Sequence, residues 1–404
     1  MASNAKILGD LIAADSSIAI PGDGVILASD LADGSVTTAK LADANVTIGK
    51  IATTVPLGTK NLIINGDMKI AQRGTSVSGI TGDNYFTVDR FAFQLNSSGT
   101  WTQSQDTDVP TGQGFVNSLK MQCTTSTASP NYFVVQQRVE AQNLQHLKYG
   151  TANAEKITLS FWVKSNKTGT YINEFYQQDD NRTISTAFTI NAANTWEKKT
   201  ITIDGDTVGI IDNDNGIGMY VSIWLATGST FSSGTLQTSW GAITNANRAV
   251  GQVNLADSTS NYINITGVQL EVGDTATPFE HRPYDMELAR CQRYCCKLAG
   301  DHEDDLAVAA GGYFDANYIS FGTHYFPVTM RSAPSATFNG SSITVWRGNT
   351  NYTGFSFNIS TSGSPSPNRC IIVAGKASHG VTADVGAILR FDLTSDYVIF
   401  SAEL

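Results

Sequence analysis

The residues most able to do chemistry in this 404-residue chain are scattered. Its five histidines, His146, His281, His302, His324 and His379, do not fall at metal-ligand spacing from one another. No H-E-x-x-H, G-x-S-x-G or P-loop pattern occurs. Carboxylates come in close sets: Asp179-Asp180, Asp204/Asp206, Asp212/Asp214 and Asp304-Asp305. A glycosidase needs two of them roughly 5–10 Å apart across a sugar, but sets like these in Asn- and Gly-rich turns are explained by side chains bonding their own turn backbone. The run from Asp212 to Gly216 has the residue types of a calcium loop, yet its glycine is fifth where the EF-hand loop has it sixth. A structural calcium stays open on this reading, and no other cofactor is expected. Cys291, Cys295 and Cys296 are spaced C-x3-C-C, unlike the paired C-x2-C units of zinc ribbons. Five cysteines make no disulfide framework in so long a chain. Buried thiols in a reducing compartment are expected, and no metal site.

What remains is recognition. Saccharides are held by aromatic faces together with polar hydrogen-bonding groups. Trp346, Arg347, Asn349, Asn351 and Tyr352 bring those types together in one hairpin-like stretch, and they are the candidate binding residues. The simpler alternative has Trp346 pointing inward at the end of ITVW. Trp101, Trp162, Trp196, Trp224 and Trp240 fall on strand patterns and are expected mostly in cores.

Composition indicates what must position such residues. Hydrophobic residues make up 41%, enough for real cores, while charged residues are only 15%, against about 25% in an average soluble protein. Thr, Ser, Asn, Gln and 36 glycines supply the polar surface, a balance that suits many short strands and tight turns. The net charge of −10 and pI near 4.9 argue against nucleic-acid binding, which needs concentrated positive charge. No apolar run reaches the roughly eighteen residues of a membrane span. The stretch from Ile7 to Ala14 is broken by Asp10 and lacks the basic start of a secretory leader.

Residues 31–50 contain two copies of a ten-residue repeat, LADGSVTTAK and LADANVTIGK. Leu31, Val36, Leu41, Val46 and Ile51 recur at every fifth position, a period of neither helix nor strand. A single such strand has too little apolar surface to offset its ordering entropy, so the sequence predicts a stalk whose core is made by identical neighbours related by a symmetry axis. A disordered linker is the alternative. Leu31 to Pro56 could span at most about 80–90 Å. Ahead of it, Ile7, Leu8, Leu11 and Ile12 form one face of a short helix.

From about residue 61 to 282 the chain reads as strand after strand. ITLSFWVKS, TISTAFTI and MYVSIWLA alternate apolar and polar, with SNKTG, QDDNR, NAANT and DNDNG between strands. About ten strands in this length predict one jelly-roll β-sandwich. Residues 283–300 are expected to form a connecting helix, with Asp285 as N-cap. Leu288, Cys291, Cys295 and Leu298 are its apolar seam, directed either at a threefold axis or at the base of the sandwich. Residues 301–404 return to strands and predict a small distal β-domain. The fold class is mainly β.

The segments NLIINGDMKIAQRG, YFTVDRFAFQL, ITLSFWVKSNKTGTY, QVNLADSTSNYINITGVQLEVG and TPFEHRPYDMELARCQRY strongly resemble a module recurrent in phage tail fibre proteins, especially those of marine phages. The resemblance covers about Asn61 to Tyr294, and the two stalk copies resemble the repeats that precede such modules. Where the family usually has an aromatic pair after CQRY, this chain has Cys295-Cys296. The resemblance implies a homotrimeric virion fibre, assembled in the host cytoplasm. It would be joined to tail or baseplate proteins through residues 1–60, and would attach the phage to a host surface glycan or envelope protein, without enzymatic activity or membrane insertion. A tail spike that cleaves glycans and a purely structural fibre or baseplate component are the alternatives.

Overall fold

The strand patterns become real strands wherever an apolar phase of period two meets a partner. The computed structural model describes residues 60–299, 308–309, 317–340, 343–347, 350–360, 365–381, 388–391 and 396–404. The attachment segment, all five stalk positions (Leu31, Val36, Leu41, Val46 and Ile51), His302 and Asn349 lie outside the described residues.

In chain order the strands are β1 (Ser76–Ile80), β2 (Asn84–Tyr85), β3 (Ala92–Asn96), β4 (Thr100–Asp106), β5 (Ser118–Thr125), β6 (Tyr132–Glu140) and β7 (Ile157–Ser165). They continue with β8 (Gly169–Gln177), β9 (Arg182–Ile190), β10 (Glu197–Ile203), β11 (Ile217–Thr227), β12 (Gly241–Ala242) and β13 (Tyr262–Val272). They form a six-stranded sheet, β1-β4-β5-β13-β7-β10, and a seven-stranded sheet, β12-β9-β8-β11-β6-β3-β2. Every pairing is antiparallel, and the chain changes sheet at most connections. This is the expected β-sandwich. Ile157, Leu159, Phe161 and Val163 are fully buried between the sheets, facing Phe133, Phe175 and Met219. A void among Ile63, Leu119, Val135 and Leu159 has room for about one water molecule and is a packing gap, not a ligand chamber.

The expected connecting helix is shorter than the sequence reading, and that reading is corrected here. Helix α1 runs only over Tyr284–Gln292, with Pro283 at its N-cap and Asp285 in its first turn. Cys295 and Leu298 leave the predicted helical seam for strand β14 (Cys295–Ala299), which pairs with β22 (Tyr397–Ser401). A partner strand more than ninety residues away outweighs local helix periodicity, because it satisfies the backbone and buries Cys295 and Cys296. Of the four seam residues, Leu288 and Cys291 stay on the helix, and Cys291 is buried beside Asp89 and Arg90 of the same chain.

The remaining strands are β15 (Val308–Ala309), β16 (Tyr318–Tyr325), β17 (Ser335–Asn339), β18 (Ile343–Arg347), β19 (Thr350–Ile359), β20 (Arg369–Gly375) and β21 (Ile388–Phe391). They make sheets β14-β22-β17 and β15-β21-β18-β19-β20-β16 around Phe321, Phe355, Ile372 and Phe400. The distal domain thus starts at Cys295, and residues 58–404 form one compact unit.

The motifs that carry the family resemblance meet in space. Asn65 donates to the carbonyls of Ile70 and Asp89 at 2.8 and 3.0 Å, and its backbone N–H donates to Glu287. Gly66 lies so close to β13 that a Cβ there would stand 2.0 Å from the Val268 carbonyl oxygen, so only glycine fits between Asn65 and Asp67. Arg282 pairs with Glu287 at 3.2 Å and with Glu280 at 3.1 Å. Arg90 lies 3.5 Å from the Tyr294 ring centroid and pairs with Glu403. These segments form a buried polar knot at the junction of sandwich, helix and distal domain.

Asp89 sits in the knot with no solvent exposure. Burial pushes its carboxyl up to about 6, against the opposing pull of Arg73 3.7 Å away and hydrogen bonds from Gln72. The native chain therefore holds this proton more tightly than the unfolded chain, and stability falls as pH rises from about 4 to 6. The contribution of this one group is about 2–3 kcal/mol. Denaturant titrations of wild type and Asp89→Asn should give a stability difference that declines by this amount between those pH values and is flat above. A difference independent of pH would show that the Asp89 carboxyl keeps its ordinary acidity.

Candidate functional site

The seven-stranded sheet buries one face and offers the other. On the inner phase Phe175, Val221, Val135 and Phe93 enter the core. One residue along each strand, the opposite phase carries a different set. Cross-strand register places Tyr176 (β8), Tyr220 (β11) and Arg138 (β6) in one row. The next row is Ser185, Glu174, Ser222, Gln136, Ala92 and Tyr85. Beyond it, Trp224 pairs with Val134, and Val134 with Gln94.

Tyr176 and Tyr220 are stacked, with centroids 5.3 Å apart and planes at 28°. Arg138 lies 5.5 Å from the Tyr220 centroid and 5.8 Å from that of Tyr85. It donates to the Leu404 carbonyl, and with the Gln136 amide oxygen turned toward it, Gln136 accepts from its Nε at 2.9 Å and Nη2 at 3.1 Å. The Tyr176 hydroxyl donates to Asn181 at 2.7 Å. Burial raises the Tyr176 and Tyr220 phenols, so both remain protonated donors at neutral pH. Tyr85, Gln94, Tyr132, Arg138, Tyr176 and Tyr220 are all half-buried, with surface left for a ligand. Four interstrand gaps separate Tyr176 on β8 from Tyr85 on β2, a platform about 19 Å wide.

One end of the platform is closed by the segment between β11 and β13. Arg248 from this segment binds Glu174 through Nε at 2.7 Å and Nη2 at 2.9 Å, and its guanidinium lies 5.2 Å from the Trp224 centroid and 5.6 Å from that of Phe231. Glu174 also accepts from Trp224 Nε1 at 3.0 Å and the Thr183 hydroxyl at 2.9 Å. Beneath, Val134, Ile172, Trp224 and Ala249 form a small apolar cluster of their own. Trp224 is buried, but on the outer face; Trp101 is in the sandwich core, and Trp162, Trp196 and Trp240 are half-buried.

Of the five binding residues expected from sequence, Asn349 lies outside the described residues and the other four lie on the β18–β19 hairpin. Trp346 and Asn351 face each other across β18 and β19, half-buried and exposed. Tyr352 pairs with Val345 on the other side of that hairpin and packs against the distal core. Strand alternation thus separates Trp346 from Tyr352, and Arg347 is described in its backbone alone. Sequence reading missed the outer phase of YFVVQQRVE, TYINEFYQ and MYVSIWLA. The signal was present as Gln136, Arg138, Tyr176 and Tyr220, polar or amphipathic residues at alternate positions, but nothing local says that these strands are neighbours.

Among the described residues no group of three His, Cys, Asp or Glu could hold a metal ion. The calcium-like run is engaged otherwise. Asp214 accepts from the Gly216 N–H at 2.8 Å, the Asp212 N–H donates to Asp179 at 3.0 Å, and Asn215 donates to the Arg331 carbonyl at 2.7 Å. All five cysteines are buried free thiols, and burial pushes Cys291 and Cys295 well up from the ordinary thiol range. His324 stacks on Phe400 with centroids 5.5 Å apart, and burial lowers it.

No family model matches the chain, and no curated protein does. Among solved structures, the chain is similar to the enzymatically active domain of tailspike protein 4 of bacteriophage CBA120, at 12% identity with a TM-score of 0.29, over 52% of this chain and 21% of that one. It is similar to a putative sugar binding protein from Bacteroides thetaiotaomicron at 11% identity and a TM-score of 0.29, over 53% of this chain and 100% of that one. A carbohydrate-binding module in complex with β-1,4-galactotriose is 12% identical with a TM-score of 0.26, over 53% of this chain and 99% of that one. Such values leave the reading of the site to its own geometry.

Proposed function

We propose that this chain is the subunit of a homotrimeric phage tail fibre, carried on the virion, that attaches the particle to its host by gripping an envelope glycan with the outer face of the seven-stranded sheet. The observation that carries this reading is the platform of Tyr176, Tyr220, Arg138 and Gln136 on the adjacent strands β8, β11 and β6, with Tyr85 two strands further on β2. Aromatic faces cover sugar C–H surface while amide, hydroxyl and guanidinium groups meet sugar hydroxyls. The breadth of the platform suits an oligosaccharide rather than a single sugar. The motif resemblance supports the fibre, its trimeric assembly in the host cytoplasm and its tail attachment through residues 1–60.

The fibre binds and does not cleave. Three carboxylates on or beside the platform are held by arginine: Glu174 by Arg248, Glu140 by Arg293, and Glu403 by Arg90 and Arg73. A general acid needs a proton to give and a nucleophile needs a free carboxylate, and neither suits a group locked in an ion pair. Weak individual sites suffice, because three per fibre act together.

Binding of the purified full chain to immobilised neutral oligosaccharides and to host cells tests the site. Tyr220→Ala should weaken both by roughly tenfold, with thermal stability little changed. Equal binding by wild type and variant would remove the platform from the reading. A monomeric native mass would remove the trimer.

A further inference from the structure

The opposite face of the sandwich carries a second constellation of a different character. On the six-stranded sheet, Trp162 of β7 points outward, directly across from Lys198 of β10 on one side and Thr266 of β13 on the other. Trp196, just before β10, donates its indole N–H to Asp108 at 3.0 Å, and Lys164 of β7 donates to the other oxygen of the same carboxylate at 2.6 Å. Continuing the β10–β7 register sets Trp196 across from Lys164, as Lys198 is across from Trp162. The result is a square in which tryptophan and lysine alternate. Tyr262 extends it, its hydroxyl donating to Asn194 at 2.7 Å and its ring 5.5 Å below Lys120 Nζ.

Two features set this patch apart from an ordinary sheet exterior. Both indoles are half-buried on the outer face of the sheet and neither is absorbed into the sandwich core. Asp108 fixes Trp196 and Lys164 in place before any ligand arrives, which lowers the ordering cost of binding. The charge is also unusual. Lys120 and Lys164 are balanced by Asp106 and Asp108, whereas Lys198 is exposed and pairs with no carboxylate among the described residues. On a chain of net charge −10 this face is locally positive.

We propose that the Trp162–Lys198–Trp196–Lys164 square is a second saccharide site, selective for sugars that carry a carboxylate. The indoles cover the C–H face of the ring and Lys198 takes the acid group. The inference rests on the glycan-binding reading but uses the other face of the sandwich and a different ligand charge.

Calorimetric titration of the full chain with polygalacturonate, and with dextran as the neutral counterpart, tests it. Polygalacturonate should bind with an affinity that falls as salt is raised, and any binding of dextran, which belongs to the first platform, should be lost in Tyr220→Ala and kept in Trp162→Ala. Trp162→Ala should weaken polygalacturonate binding roughly tenfold. The surface change Lys198→Gln, which places no demand on folding, should weaken it and remove most of its salt dependence. Tyr220→Ala, on the far face, should leave it intact. Absence of polygalacturonate binding, dextran binding that Trp162→Ala weakens as much as polygalacturonate binding, or unchanged polygalacturonate binding in Lys198→Gln each overturns the proposal. Loss in Tyr220→Ala but not in Trp162→Ala would overturn it too, while leaving the first platform as the glycan site.

Discussion

Glu140→Ala is expected to destabilise the folded unit by about 3–5 kcal/mol. The carboxylate has no solvent exposure and accepts from Arg293 Nε and Nη2, both at 2.7 Å, from Gln142 and from the Tyr294 hydroxyl. Burial by itself would raise this carboxyl, but the bonds from Arg293 and Tyr294 outweigh it and hold it below the ordinary carboxylate range. Truncation leaves the Tyr294 hydroxyl buried without its acceptor and Arg293 without its counter-charge. Arg293 keeps 30% of its side chain exposed and can turn to water, so the lower part of that range is the better expectation. Because Arg293 and Tyr294 lie between α1 and β14, the same change should loosen the distal domain from the sandwich. Denaturant unfolding should then show two transitions where wild type shows one, and trypsin should cut after Arg293 earlier. A loss under about 1 kcal/mol, the range of an exposed ion pair, would mean that the knot is not what joins the two parts.

Glu174→Ala is the second change of large expected effect, and it reaches function as well as stability. Glu174 anchors Arg248, and Arg248 holds the segment that closes one end of the proposed glycan platform over Trp224 and Phe231. Removing the carboxylate leaves Arg248 and the Trp224 indole N–H facing apolar surroundings, at a cost of about 2–4 kcal/mol. Oligosaccharide binding should fall by roughly tenfold or more as that end of the platform loses its wall. The double change Glu174→Ala with Arg248→Ala should be less destabilising than the sum of the two singles by about 1–3 kcal/mol, since no charge is then stranded. Additive losses would show that the pair is not coupled. Retained binding in a destabilised Glu174→Ala chain would make the pair structural and nothing more.

The pH behaviour expected of Asp89 runs opposite to that of Glu197. Burial raises the Glu197 carboxyl less than Lys199 and the Asn191 and Ala192 amides lower it, and it stands at about 2. Its contribution is present above the unfolded value and is lost as pH falls toward 2. The pH profile of the whole chain therefore mixes two signs, and only the difference against Asp89→Asn isolates the buried group.

Much of the architecture follows from the amino-acid sequence alone. Period-two alternation in ITLSFWVKS or TISTAFTI allows few outcomes but a strand with one buried face, and the roughly ten such segments read from sequence, separated by turn residues, make a sandwich; the short strands β2 and β12 carry no such pattern. The motifs around Asn65, Arg90 and Arg282 were legible only as a resemblance to other sequences. Their physical task was not, because residues more than two hundred positions apart meet only once the sheets have formed. The helix seam failed for a related reason: Cys295 and Leu298 have helical spacing from Leu288, but β22 offers them a strand partner that no local pattern reveals. The proposed binding face is the clearest case. Sequence could say which residues of β6, β8 and β11 share a side of their own strand. Only the tertiary order of the strands decided that Arg138, Tyr220 and Tyr176 stand in one row, because register between distant strands is set by how the whole core packs.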